Sequence, residues 1–122
     1  MYNGSCLCGE ITFEIKSTLK AVTNCHCKMC QKQHGAAFAT YGSIPKADVV
    51  YLSGGEKLAS FNSSEGVERK FCRDCGSNIE WRGSSRYPEW TSIALASIDT
   101  PLSPEKVRDV HEESAVCWQN NR

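Results

Sequence analysis

A chain of 122 residues with 14 basic and 14 acidic side chains carries no net charge, so nothing in its electrostatics draws it to nucleic acid or to an anionic membrane. The length predicts one domain over residues 1–122, with a core small enough for a bound metal to add noticeably to its stability. Eight cysteines narrow the choice to a disulfide framework or a metal protein.

The first residues, Met1-Tyr2-Asn3-Gly4-Ser5, offer neither the basic region nor the apolar run of a signal peptide, and no later stretch reads as a membrane span. The expectation is a cytoplasmic protein, where thiols stay reduced and a disulfide framework is out of place. Cys6-Leu7-Cys8 comes next, with a spacing that would strain a disulfide but suits two sulfurs on a shared ion. Gly9 follows at once, where a backbone curling its N–H groups toward sulfur needs an unhindered residue. Ile11, Phe13 and Ile15 then alternate with Thr12, Glu14 and Lys16, the period of a half-buried strand.

A second cluster, Cys25-His26-Cys27-Lys28-Met29-Cys30, leads into the one predicted helix, residues 28–35, with Gly35 as its stop. Extended character recurs at 36–41, 49–52, 67–71, 78–81 and 90–97. Turn chemistry separates these runs at Ile44-Pro45-Lys46, Ser53-Gly54-Gly55, Ser63-Ser64-Glu65-Gly66, 84–88 and Asp99-Thr100-Pro101. The predicted fold class is therefore mainly β, built of antiparallel sheets with one short helix. Trp81, Trp90 and Trp118 are read as core residues ahead of pocket-lining ones.

The third cluster, Cys72-Arg73-Asp74-Cys75 followed by Gly76, mirrors the first. Cys6, Cys8, Cys72 and Cys75 read as two knuckles facing one ion; four thiolates saturate a tetrahedron, which makes a closed, structural site. Zinc is the expected metal, with iron or a reducible Cys72/Cys75 dithiol as rivals. Cys25, Cys27 and Cys30 supply three thiolates and no obvious fourth, which implies an open position. If residues 24–27 are extended, His26 points away from Cys25 and Cys27 and supports the site without ligating it. Two residues could close it: His34, otherwise an exposed or capping histidine, and Cys117, otherwise a small buried apolar residue. Zinc with three thiolates has a net charge of minus one, a weak Lewis acid better suited to binding and ionising a thiol than to making hydroxide. Lys28 and Lys32 are candidates to offset that charge. No nucleophile elbow, P-loop or dinucleotide fingerprint is present.

These motifs resemble the glutathione-dependent formaldehyde-activating enzyme family, which also includes centromere-protein-V-like proteins. The likeness rests on Gly4-Ser5-Cys6-Leu7-Cys8-Gly9-Glu10-Ile11, on Cys25-His26-Cys27-Lys28-Met29-Cys30-Gln31-Lys32 with Gly35 and Phe38 beyond, on Arg69 to Ser77, and on Ile98-Asp99-Thr100-Pro101. It implies a β-tent type fold with two Zn²⁺ ions, one held by Cys6, Cys8, Cys72 and Cys75 and an active one held by Cys25, Cys27 and Cys30. It also implies a carbon–sulfur lyase that joins glutathione and formaldehyde as S-hydroxymethylglutathione, so the expected partners are a small thiol and an aldehyde. The sequence departs from the family's pattern toward its C-terminus: Ala96 stands in place of an expected glycine, and Arg108 in place of a proline that precedes the histidine corresponding to His111. A non-catalytic zinc-binding interaction module and a thiol-dependent zinc carrier are the competing readings. The sequence leaves the oligomeric state open.

Overall fold

The computed structural model describes residues 1–119. Its strands are β1 (Tyr2–Ser5), β2 (Thr12–Ile15), β3 (Ala21–Cys25), β4 (Ala39–Pro45), β5 (Val49–Ser53), β6 (Leu58–Ser64), β7 (Val67–Cys72), β8 (Asn78–Arg82), β9 (Trp90–Ala94) and β10 (Val107–Val110), with one α-helix, α1 (Lys28–His34). A three-stranded sheet runs β1-β2-β5, and a seven-stranded sheet runs β10-β3-β4-β9-β8-β7-β6. The predicted class, mainly β with a single short helix, is the one observed. No helix among the described residues is long and apolar enough to cross a membrane.

The two sheets share one apolar core. Ile11, Phe13 and Ile15, predicted to face inward, are fully buried against Ile44, Ile79 and Ile93 of the larger sheet. Register explains the meeting: Gly42 and Glu80 both pair with Ile93, and Ile44 pairs with Thr91, so these positions share the face turned to the small sheet. Buried Glu80 sits on that face too, but it is satisfied, accepting from Tyr51 Oη at 2.6 Å and Thr91 Oγ1 at 2.6 Å and pairing with Arg82. The opposite face carries Ala21, Ser43, Ser92, Trp81 and Arg69 in one row across β3, β4, β9, β8 and β7.

Strands β1, β3, β6 and β10 lie outside the runs that the sequence marked as extended, and several expected bounds are corrected. β1 lacks an inward apolar residue because Gly4 lies flat on the Phe13 ring, which leaves no room for a side chain. β3 buries only Val22 among its apolar residues and so shows no alternation. β4 begins at Ala39 and runs through Pro45, where an earlier start and a turn were expected, and β9 ends at Ala94 in a 3-10 turn over Leu95–Ser97. β10 pairs with β3 in parallel, so the larger sheet is mixed; a long connection over residues 95–106 lets the chain return in the same direction. Gly4→Val should force the Phe13 ring and the Ser97 carbonyl to move, lowering stability by about 1–3 kcal/mol as other overpacked cores do. Thermal unfolding checks this, and an unchanged melting temperature would mean that β1 sits loosely on the core.

Candidate metal centres

The first centre forms where β1 and β7 end. Cys6 N donates to Ile11 O at 3.1 Å and Gly9 N to Cys6 O at 3.0 Å; Cys72 N donates to Ser77 O at 3.0 Å and Gly76 N to Cys72 O at 2.8 Å. The two turns are near copies. Gly9 and Gly76 have φ of 79° and 80°, the left-handed conformation that the sequence anticipated for them. Together the turns bring four sulfurs within 4.8 Å of one another, with Cys6 and Cys8 Sγ 3.5 Å apart and Cys8 and Cys72 Sγ 3.8 Å apart. Ligands about 2.3 Å from a tetrahedral ion are separated by roughly 3.8 Å, so these sulfurs are spaced for one metal. All eight cysteines are free, and no disulfide framework is present. Ser77 holds the Cys75 thiol down to about 5, through its hydroxyl at 3.3 Å and its amide, so this sulfur is readily a thiolate.

The second centre lies on the other face of the large sheet, at the β3–α1 junction. Cys25 closes β3, Cys27 is the N-cap of α1, and Cys30 is in the first turn, buried. The Cys27 sulfur accepts from Cys30 N at 3.4 Å, so one side chain both starts the helix and joins the thiol group. The helix stops where expected, at Gly35 in the left-handed conformation. The three sulfurs lie within 4.8 Å of one another. Without a metal they compete for one charge: Cys30 is held down to about 5, first by the hydrogen bond from the Cys25 thiol and then, against burial, by Arg69. The same bond and burial push Cys25 well above the ordinary thiol range. A divalent ion removes that conflict, because thiols on a metal are deprotonated together.

Arg69, part of the third motif but given no role by the sequence, reaches this centre. Only 4% exposed, it directs Nη1 to Cys30 Sγ at 3.5 Å and to Gln33 Oε1 at 2.9 Å, and Nε to Ser63 Oγ at 2.8 Å. Burial opposes its charge, yet the Cys30 sulfur more than offsets that and keeps it fully cationic. Lys28 and Lys32, candidates for balancing the thiolates, are exposed, the ordinary solvated position of lysines on a short helix. A buried guanidinium does the balancing.

His26 faces away from the sulfurs, as the extended backbone implied. It is 1% exposed, with Nε2 2.7 Å from Asp109 Oδ1 on β10 and its ring against Phe38. Gln31 pins the same junction by donating to His26 O at 2.7 Å and to Ser114 O at 2.9 Å. His34 is neither a ligand nor a cap: half-buried, it meets Tyr41 Oη through Nε2 at 2.9 Å, and burial lowers its basicity. Cys117 is exposed and belongs to neither sulfur group, so it is neither the fourth ligand nor a buried apolar residue. His111, in the left-handed conformation with φ of 57°, lines the cavity of about 310 Å³ that opens on the three sulfurs. Arg69, Tyr41 and Trp81 line it as well. The tryptophans divide: Trp81 packs against the buried cluster of Cys30, Ala39, Tyr41 and Ala94 and also lines a neighbouring cavity, Trp90 is half-buried on the wall of that cavity, and Trp118, expected in the core, is exposed. Ala96 lines a third cavity beside the first centre, and Arg108 is exposed on β10.

Residues 1–117 match the family described as glutathione-dependent formaldehyde-activating enzyme. A Podospora anserina protein is 32% identical over 83% of this chain and 47% of its own length, and a Halomonas elongata protein is 30% identical over 88% of this chain and 73% of its own; both are named provisionally as glutathione-dependent formaldehyde-activating enzymes. Aspergillus oryzae has a relative of the same provisional name, 28% identical over 68% of this chain and 44% of its own length. The chain thus spans about half the length of several of these relatives. The crystal structure of a Rhodobacter sphaeroides protein superimposes with a TM-score of 0.71 at 21% identity, covering 88% of this chain and 98% of that one, which shows the shared fold.

Proposed function

The chain belongs to the glutathione-dependent formaldehyde-activating enzyme family, and on that premise we propose that it is a zinc-dependent carbon–sulfur lyase acting on a thiol–aldehyde adduct, with glutathione plus formaldehyde giving S-hydroxymethylglutathione as the reference reaction. Cys6, Cys8, Cys72 and Cys75 hold a structural Zn²⁺, and Cys25, Cys27 and Cys30 hold the active one, within a single domain in the cytoplasm. The observation that carries this reading is the contrast between the centres. Four sulfurs complete one tetrahedron, whereas three sulfurs with a buried arginine border a cavity. Zinc bound at the second centre supplies a site where a thiol sulfur ionises at neutral pH.

The chain's own groups do the rest. Arg69 brings the charge of three thiolates and a divalent ion from minus one to zero, so an incoming thiolate meets no net repulsion. Tyr41, on the cavity wall, keeps its proton because burial pushes its phenol well above the ordinary range, and His34 orients it. In this reading His34 donates from Nε2 to the Tyr41 oxygen, which leaves the Tyr41 proton for the aldehyde oxygen. As the carbon–sulfur bond forms, the carbonyl π pair moves to oxygen, which ends with the proton that the sulfur gave up. Holding both reactants in one cavity contributes mainly by orientation.

Cobalt substitution tests the assignment. Glutathione added to the cobalt-loaded protein should change the ligand-field and charge-transfer bands, and Cys27→Ala should lose that response while keeping the spectrum of the four-sulfur centre. If no thiol perturbs the spectrum, a non-catalytic interaction module is the better reading. A spectral response without acceleration over the spontaneous reaction rejects the namesake activity and favours a thiol-dependent zinc carrier or another substrate.

A further inference from the structure

Beside the three-sulfur cavity lies a larger one, of about 540 Å³, on the same face of the seven-stranded sheet. Its floor is the register row Ala21, Ser43 and Ser92, three small residues on β3, β4 and β9, and Trp81 is the next member of that row. Its remaining aromatic walls are Trp90 and Tyr87. Trp81 and Ser92 line both cavities, so the two adjoin through shared side chains. The row from Trp81 to Ala21 crosses three strand spacings, roughly 14 Å, room for a ring and a short chain leading from it.

Charge narrows the occupant further. Among the described residues, Lys20 is the one cationic side chain on this cavity's walls, and no carboxylate lines it. In the adjoining cavity, Arg69 is already engaged by Cys30, Gln33 and Ser63. Glutathione carries two carboxylates and an ammonium, which this lining does not match with opposite charges. An aromatic group does match it, through stacking on indole and phenol rings and burial of its apolar area.

We propose that this cavity is a substrate subsite for an aromatic group carried on the thiol, so that the chain's preferred thiol is aryl-substituted, with its sulfur at Cys25, Cys27 and Cys30 and its ring between Trp81 and Trp90. The inference rests on the reading of the three-sulfur centre as a thiol site.

Three probes separate the two ideas: 2-phenylethanethiol, ethanethiol and 2-phenylethanol, with glutathione as the reference. In the cobalt-loaded protein, 2-phenylethanethiol should perturb the spectrum with a Kd at least tenfold lower than that of ethanethiol and lower than that of glutathione. The sulfur-free 2-phenylethanol should quench tryptophan fluorescence without touching the cobalt bands. Trp90→Ala should bring the two thiols to within about threefold of each other while leaving the ethanethiol response intact. Ser43→Leu, which fills the floor from the opposite side, should do the same. Equal affinity of the two thiols in the unmodified protein, tighter binding of glutathione, or an unchanged ratio in both variants would overturn the subsite. An aromatic aldehyde that gains the affinity with ethanethiol as its partner, while 2-phenylethanethiol gains none, would place the ring on the wrong reactant and overturn it too. If 2-phenylethanol binds and no thiol alters the cobalt spectrum, the thiol reading of the centre fails first, and the subsite as proposed falls with it.

Discussion

Cys72→Ala should yield little soluble protein, or protein whose melting temperature falls far more than in Cys27→Ala. Cys72 is fully buried at the end of β7 and its sulfur faces Cys8, 64 positions away in sequence. The four-sulfur centre thus ties the first strand to the seventh, closing a long loop around the shared core. A structural metal site supplies folding energy outright, on the order of 10 kcal/mol for zinc in small domains. A domain of this size has a net stability of about 5–15 kcal/mol, so losing most of that contribution is enough to unfold it. Cys27→Ala removes one ligand from a centre that has three and a sulfur cap on α1, for which about 1 kcal/mol is the usual scale. Zinc content and thermal unfolding measured on both variants decide the matter. Equal loss of stability at both positions would undo the division into a structural and an active centre.

The grouping of seven cysteines into a set of four and a set of three was legible because the turns that present them are local. Each knuckle is a turn of a few residues whose sulfurs, glycine and hydrogen bonds are consecutive in the chain, and α1 begins on Cys27 and stops at Gly35. The alternation of Ile11, Phe13 and Ile15 was equally plain, because those side chains enter an apolar core. The face that carries the three-sulfur centre gives no such signal. Few of its side chains enter an apolar core, so β3 reads as Ala-Val-Thr-Asn-Cys with only Val22 buried, and β10 as the mostly exposed Val-Arg-Asp-Val. Arg69 lies in a run of charged residues, Glu68-Arg69-Lys70, that looks like a solvated strand. Only pairing places it: Arg69 stands opposite Trp81 on β8 and faces Cys30 of α1, contacts made across 12 and 39 residues of sequence. The Trp81 and Trp90 walls are likewise a product of register, since either residue taken alone reads as core.

Arg69→Met should leave both metals in place and weaken thiol binding at the three-sulfur centre by about 10- to 100-fold. The residue donates to Cys30 Sγ at 3.5 Å from a site that is 4% exposed, where charge is poorly screened by water. Hydrogen bonds to charged groups contribute about 1.5–3 kcal/mol, and each 1.4 kcal/mol is a factor of ten in affinity, which sets the expected range. The effect should fall on the incoming thiolate more than on the metal, because three sulfurs still hold the ion while a fourth negative ligand now meets a net charge of minus one. Methionine fills similar space, but Gln33 Oε1 and Ser63 Oγ lose their donors, so a moderate fall in melting temperature is also expected. Arg69→Lys separates charge from structure. It keeps the cation and loses the planar fork that reaches Cys30, Gln33 and Ser63 at once, so it should recover part of the thiol affinity and less of the stability. Cobalt-monitored thiol titrations of the three proteins, with metal content measured alongside, give the comparison. Unimpaired thiol binding in Arg69→Met would show that the guanidinium is a packing element and that the charge of the thiolates is balanced elsewhere.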